Sequence, residues 1–133
     1  MKRFGIILAV GVWLAAGAAP VLAQFTPEEL AQRPFWEELL KTAPILRSEP
    51  IGEGVTKPYA VYLKNGDAEQ KACWKNPSGL TAGFLEGWQY EIAAYRLDKL
   101  VGLNMVPPTV EREFEGRRGA LSYWAPVEHG LLE

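Results

Sequence analysis

Apolar positions along the chain fall into successive patterns of different period. Residues 4–18 are apolar, broken only by glycines. Residues 25–42 read as two short helical pieces. Thr26 can cap the first, Pro27 suits its opening position and Glu29 completes a capping box. Pro34 interrupts and restarts the helix, and Phe35, Trp36, Leu39 and Leu40 give it an apolar stripe before Pro44 closes it. This arm is expected to pack on its own domain or on a neighbour. From Ile45 the period becomes that of strands: residues 45–51, then a turn-rich "GEGVTKP", then 59–64 and 68–75 joined by Asn65-Gly66-Asp67. Asparagine and glycine both tolerate positive φ, which marks a hairpin. Residues 76–83 read as a loop and 84–101 as a helix stopped by Gly102. Trp88, Ile92 and Tyr95 form one ridge of that helix; Ala93, Leu97 and Leu100 form another. After Pro107-Pro108 a second hairpin is predicted, with strands at 109–114 and 120–125 around a turn at 115–119. The predicted fold class is α+β, a five-stranded, mostly antiparallel sheet with one long helix, preceded by a helical arm.

The N-terminal run changes how the rest is divided. Lys2 and Arg3 precede the apolar stretch, and Pro20 precedes Val21-Leu22-Ala23, a small-residue cleavage pattern. Residues 1–23 therefore read as a signal peptide, with an uncleaved anchor helix as the other reading. The expected organisation is a leader at 1–23, an arm at 24–44, a domain at 45–126 and a hinge or tail at 127–133. Cleavage leaves a secreted or periplasmic chain with no stable membrane anchor, and no cysteine follows the site to take a lipid. The net charge of −2 becomes more acidic once the leader is removed, because the leader carries two basic residues and no acidic one. Such a balance argues against a nucleic-acid partner. Export permits disulfides, but the single Cys73 has no partner within the chain. His129 lies near the end of the sequence with no second histidine beside it, so no metal site is expected there.

Candidate chemistry centres on Lys75. It closes the third predicted strand in "KACWK", and alternation puts Cys73 on its face and Trp74 on the other. A lysine at a strand end, followed by a loop and a helix that carries Glu91, suggests a pair. The ammonium would hold phosphate oxygens and the carboxylate would keep it aimed. Glu86 is the rival partner, roughly 140° around a helix from Glu91. An ordinary surface ion pair is the plain alternative. Gly52 and Gly54, in the turn between the first two strands, could bring backbone amides close to phosphates.

These residues, with "EIAAYRLDKLVGLNMVPPTV" behind them, resemble the N-terminal lobe of atypical kinases of the secretory-pathway casein kinase type. They also resemble bacterial phosphatidylinositol 3-/4-kinase-like relatives and, more distantly, HipA-like kinases. The resemblance covers roughly residues 45–125. It implies that Lys75 binds phosphate, that Glu91 is its helix partner, that Cys73 lies under the adenine, and that Tyr123 and Trp124 sit at the passage to the hinge. It implies ATP with Mg or Mn only in a complete protein, because the catalytic and metal-binding residues of such enzymes belong to a C-terminal lobe. Asp67 and Asp98, the only aspartates, match neither role by position. The expected function is therefore a nucleotide-binding lobe of an exported kinase-like protein, not catalytic alone, partnered by a C-terminal lobe or another protein. The alternative is an exported, non-catalytic binding module.

Overall fold

The computed structural model of the protein describes residues 25–125 apart from 53, 55 and 82. The leader of residues 1–23 and the hinge or tail of 127–133 lie outside the described residues. The arm forms as two helices, α1 (Pro27–Ala31) and α2 (Arg33–Thr42). The capping box closes as its residues require: Thr26 Oγ1 accepts from the Glu29 amide at 3.3 Å, and Glu29 Oε2 accepts from the Thr26 amide at 2.7 Å. At the other end, the Arg112 guanidinium donates to the carbonyls of Leu40, Lys41 and Ala43, groups that have no partner within the helix.

Seven strands follow in chain order: β1 (Ile45–Pro50), β2 (Tyr59–Asn65), β3 (Ala68–Lys75), β4 (Ser78–Thr81), β5 (Phe84–Gly87), and, after helix α3 (Trp88–Val101), β6 (Thr109–Phe114) and β7 (Arg117–Tyr123). Five of them make one sheet in the order β1-β2-β3-β7-β6, every neighbouring pair antiparallel. The fold is thus α+β, a five-stranded antiparallel sheet with one long helix and a helical segment before it. Gly66 takes φ 61° at the tight turn between β2 and β3, and Gly102 ends α3 at φ 72°.

Two stretches differ from the sequence reading. Residues 76–83 are not all loop, and the helix does not begin at Phe84: β4 and β5 pair as a small hairpin, and α3 starts at Trp88. Gly87 is fully extended before the helix, and the Trp88 amide donates to the Pro77 carbonyl at 3.0 Å, closing the base of the hairpin. Four-residue strands carry too little period to be told from the start of a helix. The second hairpin also turns more tightly than residues 115–119 suggested. Glu115 and Gly116, at φ 50° and 72°, make the turn alone, so Arg117 and Arg118 belong to β7, which ends at Tyr123 and not at 125.

One face of the sheet holds the core. Val61, Leu63, Ala72, Trp74, Val110 and Leu121 pack with Leu40 of α2, so the arm is part of this domain and not a loose extension. Trp74 lies edge-on to Phe114 at 5.2 Å and to Tyr59 at 6.2 Å. Gly119 is where the Trp74 indole crosses β7. A Cβ there would stand 2.6 Å from both Trp74 Cε2 and the Lys75 carbonyl oxygen. Gly119→Ala is therefore expected to destabilise by about 1–3 kcal/mol, as overpacking does in a filled core. A urea melt with an unchanged slope and a lowered midpoint is the result that checks it.

Candidate functional site

The opposite face of the sheet is set by strand register. Ala60 faces Cys73, and Cys73 faces Ser122; one row along, Lys75 faces Ala120. Partners that are directly opposite share a face. Lys75 and Cys73 are thus on the side away from the core, as alternation in "KACWK" predicts, while Trp74 is 2 % exposed on the core side. Small side chains surround Cys73, and Ser122 Oγ is hydrogen-bonded to Thr109 Oγ1 at 2.9 Å.

Lys75 Nζ meets Glu91 Oε1 at 3.0 Å, joining the last residue of β3 to the first turn of α3. Glu86, the rival, lies in β5 and not on the helix. The pair is half-buried, with side-chain exposures of 31 % for Lys75 and 39 % for Glu91. An ion pair this exposed adds at most about 1 kcal/mol to folding. What the geometry supplies is a lysine whose direction is fixed while its remaining N–H donors are free of the carboxylate.

The other candidates fall at defined distances along the sheet. Pro50 pairs with Tyr59, and Tyr59 with Trp74, so the turn that holds Gly52 and Gly54 closes at the Lys75 end. Both glycines have positive φ, 79° and 94°, as does Lys57. Trp124 is at the other end, with Lys71 Nζ 3.8 Å from its ring. Tyr123 is turned the other way: its ring packs on Trp36 of α2 at 4.5 Å, and only its backbone belongs to the edge of the Cys73 face. The structure thus joins Lys75 to Glu91, puts Cys73 on the Lys75 face and the glycine turn at the Lys75 end, and packs the partly buried Tyr123 ring against the core.

Burial pushes the Cys73 thiol above its ordinary pKa, partly opposed by the Lys75 ammonium. At a given pH it carries less thiolate than a free cysteine, and the thiolate is the reactive form. The native protein should therefore react slowly with a thiol reagent at neutral pH, with a rate still climbing above about pH 9.5, where a free cysteine levels off. The urea-unfolded chain is the reference; equal rates for native and unfolded protein would contradict the burial argument.

A second polar cluster was not singled out in the sequence. Asp98, 3 % exposed, accepts from Arg33 Nη2 at 3.1 Å and, through its other oxygen, from the amides of Met105 and Val106 at 2.9 and 3.3 Å. One helical turn from Arg33, Glu37 accepts from the Tyr95 hydroxyl at 2.6 Å and from Lys99 Nζ at 2.7 Å. Burial acts to raise the Glu37 carboxyl pKa, but the Lys99 and Tyr95 hydrogen bonds outweigh it and hold it below the usual carboxylate value. Burial, and then the Glu37 hydrogen bond, push the Tyr95 phenol well above its own. The signal in the sequence was the spacing Ile92, Tyr95, Asp98, which puts a charge on the buried stripe of a helix and so demands a partner.

Between α3 and strands β6 and β7, Trp88, Ile92, Leu97 and Leu100 line an open groove of about 560 Å³ together with Arg96, Glu111 and Arg118. Leu97 and Leu100 are exposed there. Among the described residues no three histidine, cysteine, aspartate or glutamate side chains gather to hold a metal ion, and no helix is long and apolar enough to cross a membrane. No protein-family model, curated protein or solved structure matches the chain.

Proposed function

We propose that this chain is the nucleotide-binding lobe of an exported, kinase-like protein, and that it is not catalytic alone. The observation that carries the reading is the 3.0 Å pair between Lys75 at the end of β3 and Glu91 in the first turn of α3. A cation at a strand end, aimed by a helix carboxylate, is a holder for phosphate oxygens. The surroundings support the same use. The glycine turn lies at the Lys75 end, where backbone amides of residues with positive φ can approach an anion. Cys73, with the small Ala60 and Ser122 on either side of it, and Trp124 lie back along the same face. From Lys71 to Lys75 the strand rises about 13 Å, comparable with the reach of a nucleotide from its base to its terminal phosphate.

In the complete protein the reaction is phosphoryl transfer from a metal-bound nucleoside triphosphate to a hydroxyl. The described residues include no cluster of metal ligands. By analogy with kinases, Mg or Mn would enter with the phosphates and be held by the C-terminal lobe, which would also supply the catalytic aspartate. Of the two aspartates here, Asp67 sits in a hairpin turn and Asp98 is committed to Arg33 and two backbone amides. The test is a titration of the ¹⁵N-labelled chain with ATP and Mg²⁺, followed by NMR. Amides of Gly52, Gly54, Cys73 and Lys75 are expected to shift together and saturably. No shift at millimolar nucleotide would overturn the reading.

The exposed apolar groove on α3 favours a second reading, an exported non-catalytic module that holds a protein partner. A chain that forms a stable dimer and ignores nucleotide would favour it over the first.

A further inference from the structure

Helix α3 is held to the rest of the domain by few apolar contacts. Of its fourteen residues only Ile92, Tyr95 and Asp98 are buried, while Ala93, Leu97, Leu100 and Val101 face outwards. Apolar burial is non-directional and sets no angle, whereas hydrogen bonds do. Besides the Trp88 amide bond to the Pro77 carbonyl at its start and the bonds from the Met105 and Val106 amides to Asp98, the bonds that tie α3 to other elements come through side chains from two sources. Lys75 holds Glu91 near its start, and the arm holds its second half. Arg33 and Glu37, four residues apart on α2, share one helix face. Arg33 meets Asp98 at 3.1 Å and Asn104 Oδ1 at 3.3 Å, and Glu37 takes Tyr95 at 2.6 Å and Lys99 at 2.7 Å. Tyr95 is one turn beyond Glu91, so whatever fixes Tyr95 fixes where Glu91 stands.

We infer that Arg33 and Glu37 of the N-terminal arm are positioning residues for the Lys75–Glu91 pair. The arm clamps α3 at the angle that brings Glu91 to Lys75, and undocking it would let the helix swing and release the lysine. The consequence for nucleotide affinity rests on the function proposed above; the mechanical coupling does not.

The experiment reads the two separately, on the whole chain. The side-chain ammonium of Lys75, followed by ¹⁵N NMR and assigned by its loss in Lys75→Arg, reports the pair directly, and amide exchange in β2 and β3 reports the fold. Glu37→Ala is expected to remove the protection of the Lys75 ammonium, to leave the strand amides protected, and to weaken ATP–Mg²⁺ binding about fivefold, a typical coupling between sites. Glu37→Gln, which can still accept from Tyr95, restores the Lys75 signal. Tyr95→Phe breaks the same contact from the α3 side and moves the signal in the same direction. An unchanged Lys75 ammonium in Glu37→Ala and Tyr95→Phe, with the strands protected, overturns the coupling. A lost ammonium signal in a protein that never bound nucleotide upholds the clamp and overturns only the nucleotide reading.

Discussion

Lys75→Ala is expected to weaken nucleoside triphosphate binding about thirtyfold, equivalent to about 2 kcal/mol. The figure follows from the half-buried setting. A phosphate oxygen that loses a charge-assisted donor loses a strong hydrogen bond, but with both side chains about a third exposed, solvent recovers part of it. The same change should cost folding at most about 1 kcal/mol, because the partner it abandons, Glu91, can turn to water. Glu91→Ala leaves the cation in place and removes only its aim, so about fivefold is the expected loss. Affinities from calorimetric titration and stabilities from urea melts should therefore part company. If both variants bind as the parent does, Lys75–Glu91 is a surface ion pair and nothing more.

Asp98→Ala should be among the most destabilising single changes in the chain, about 3–5 kcal/mol. Asp98 is 3 % exposed, and its loss leaves the largely buried Arg33 guanidinium without its counter-ion and two backbone amides without an acceptor. Asp98→Asn keeps an acceptor for the Met105 and Val106 amides and should cost distinctly less. The cycle with Arg33→Met is more informative than either variant alone. Removing both partners spares the uncompensated charge, so Arg33→Met/Asp98→Ala should be more stable than Asp98→Ala. Urea midpoints of the four proteins check it; strict additivity would mean that the pair does not couple.

The contrast between these two sites shows what could be read in advance. Lys75 and Glu91 stood out because a lysine at a strand end is followed by a loop and a helix that carries a glutamate; that Glu91 stands in the first turn came only with the start of α3 at Trp88. Strand alternation and the capping box at Thr26 are equally local. The β4–β5 hairpin was not legible, since Phe84–Gly87 owes its strand form to Ser78–Thr81 across the turn. Nor was the packing of the partly buried Tyr123 ring on Trp36 legible, because the two lie far apart in the sequence.

The sequence by itself determined the helical arm, the strand-rich middle, the hairpin at Asn65-Gly66 and the stop of α3 at Gly102. Each of these follows from φ preferences, caps and periods spanning a few neighbouring residues. Only the tertiary structure decided that the arm belongs to the domain, that Glu91 rather than Glu86 meets Lys75, and that Asp98 is answered by Arg33. Those outcomes join residues 16 to 72 positions apart, where no local preference reaches. They are fixed by which apolar faces cover one another and by the need to pair every charge that this covering buries.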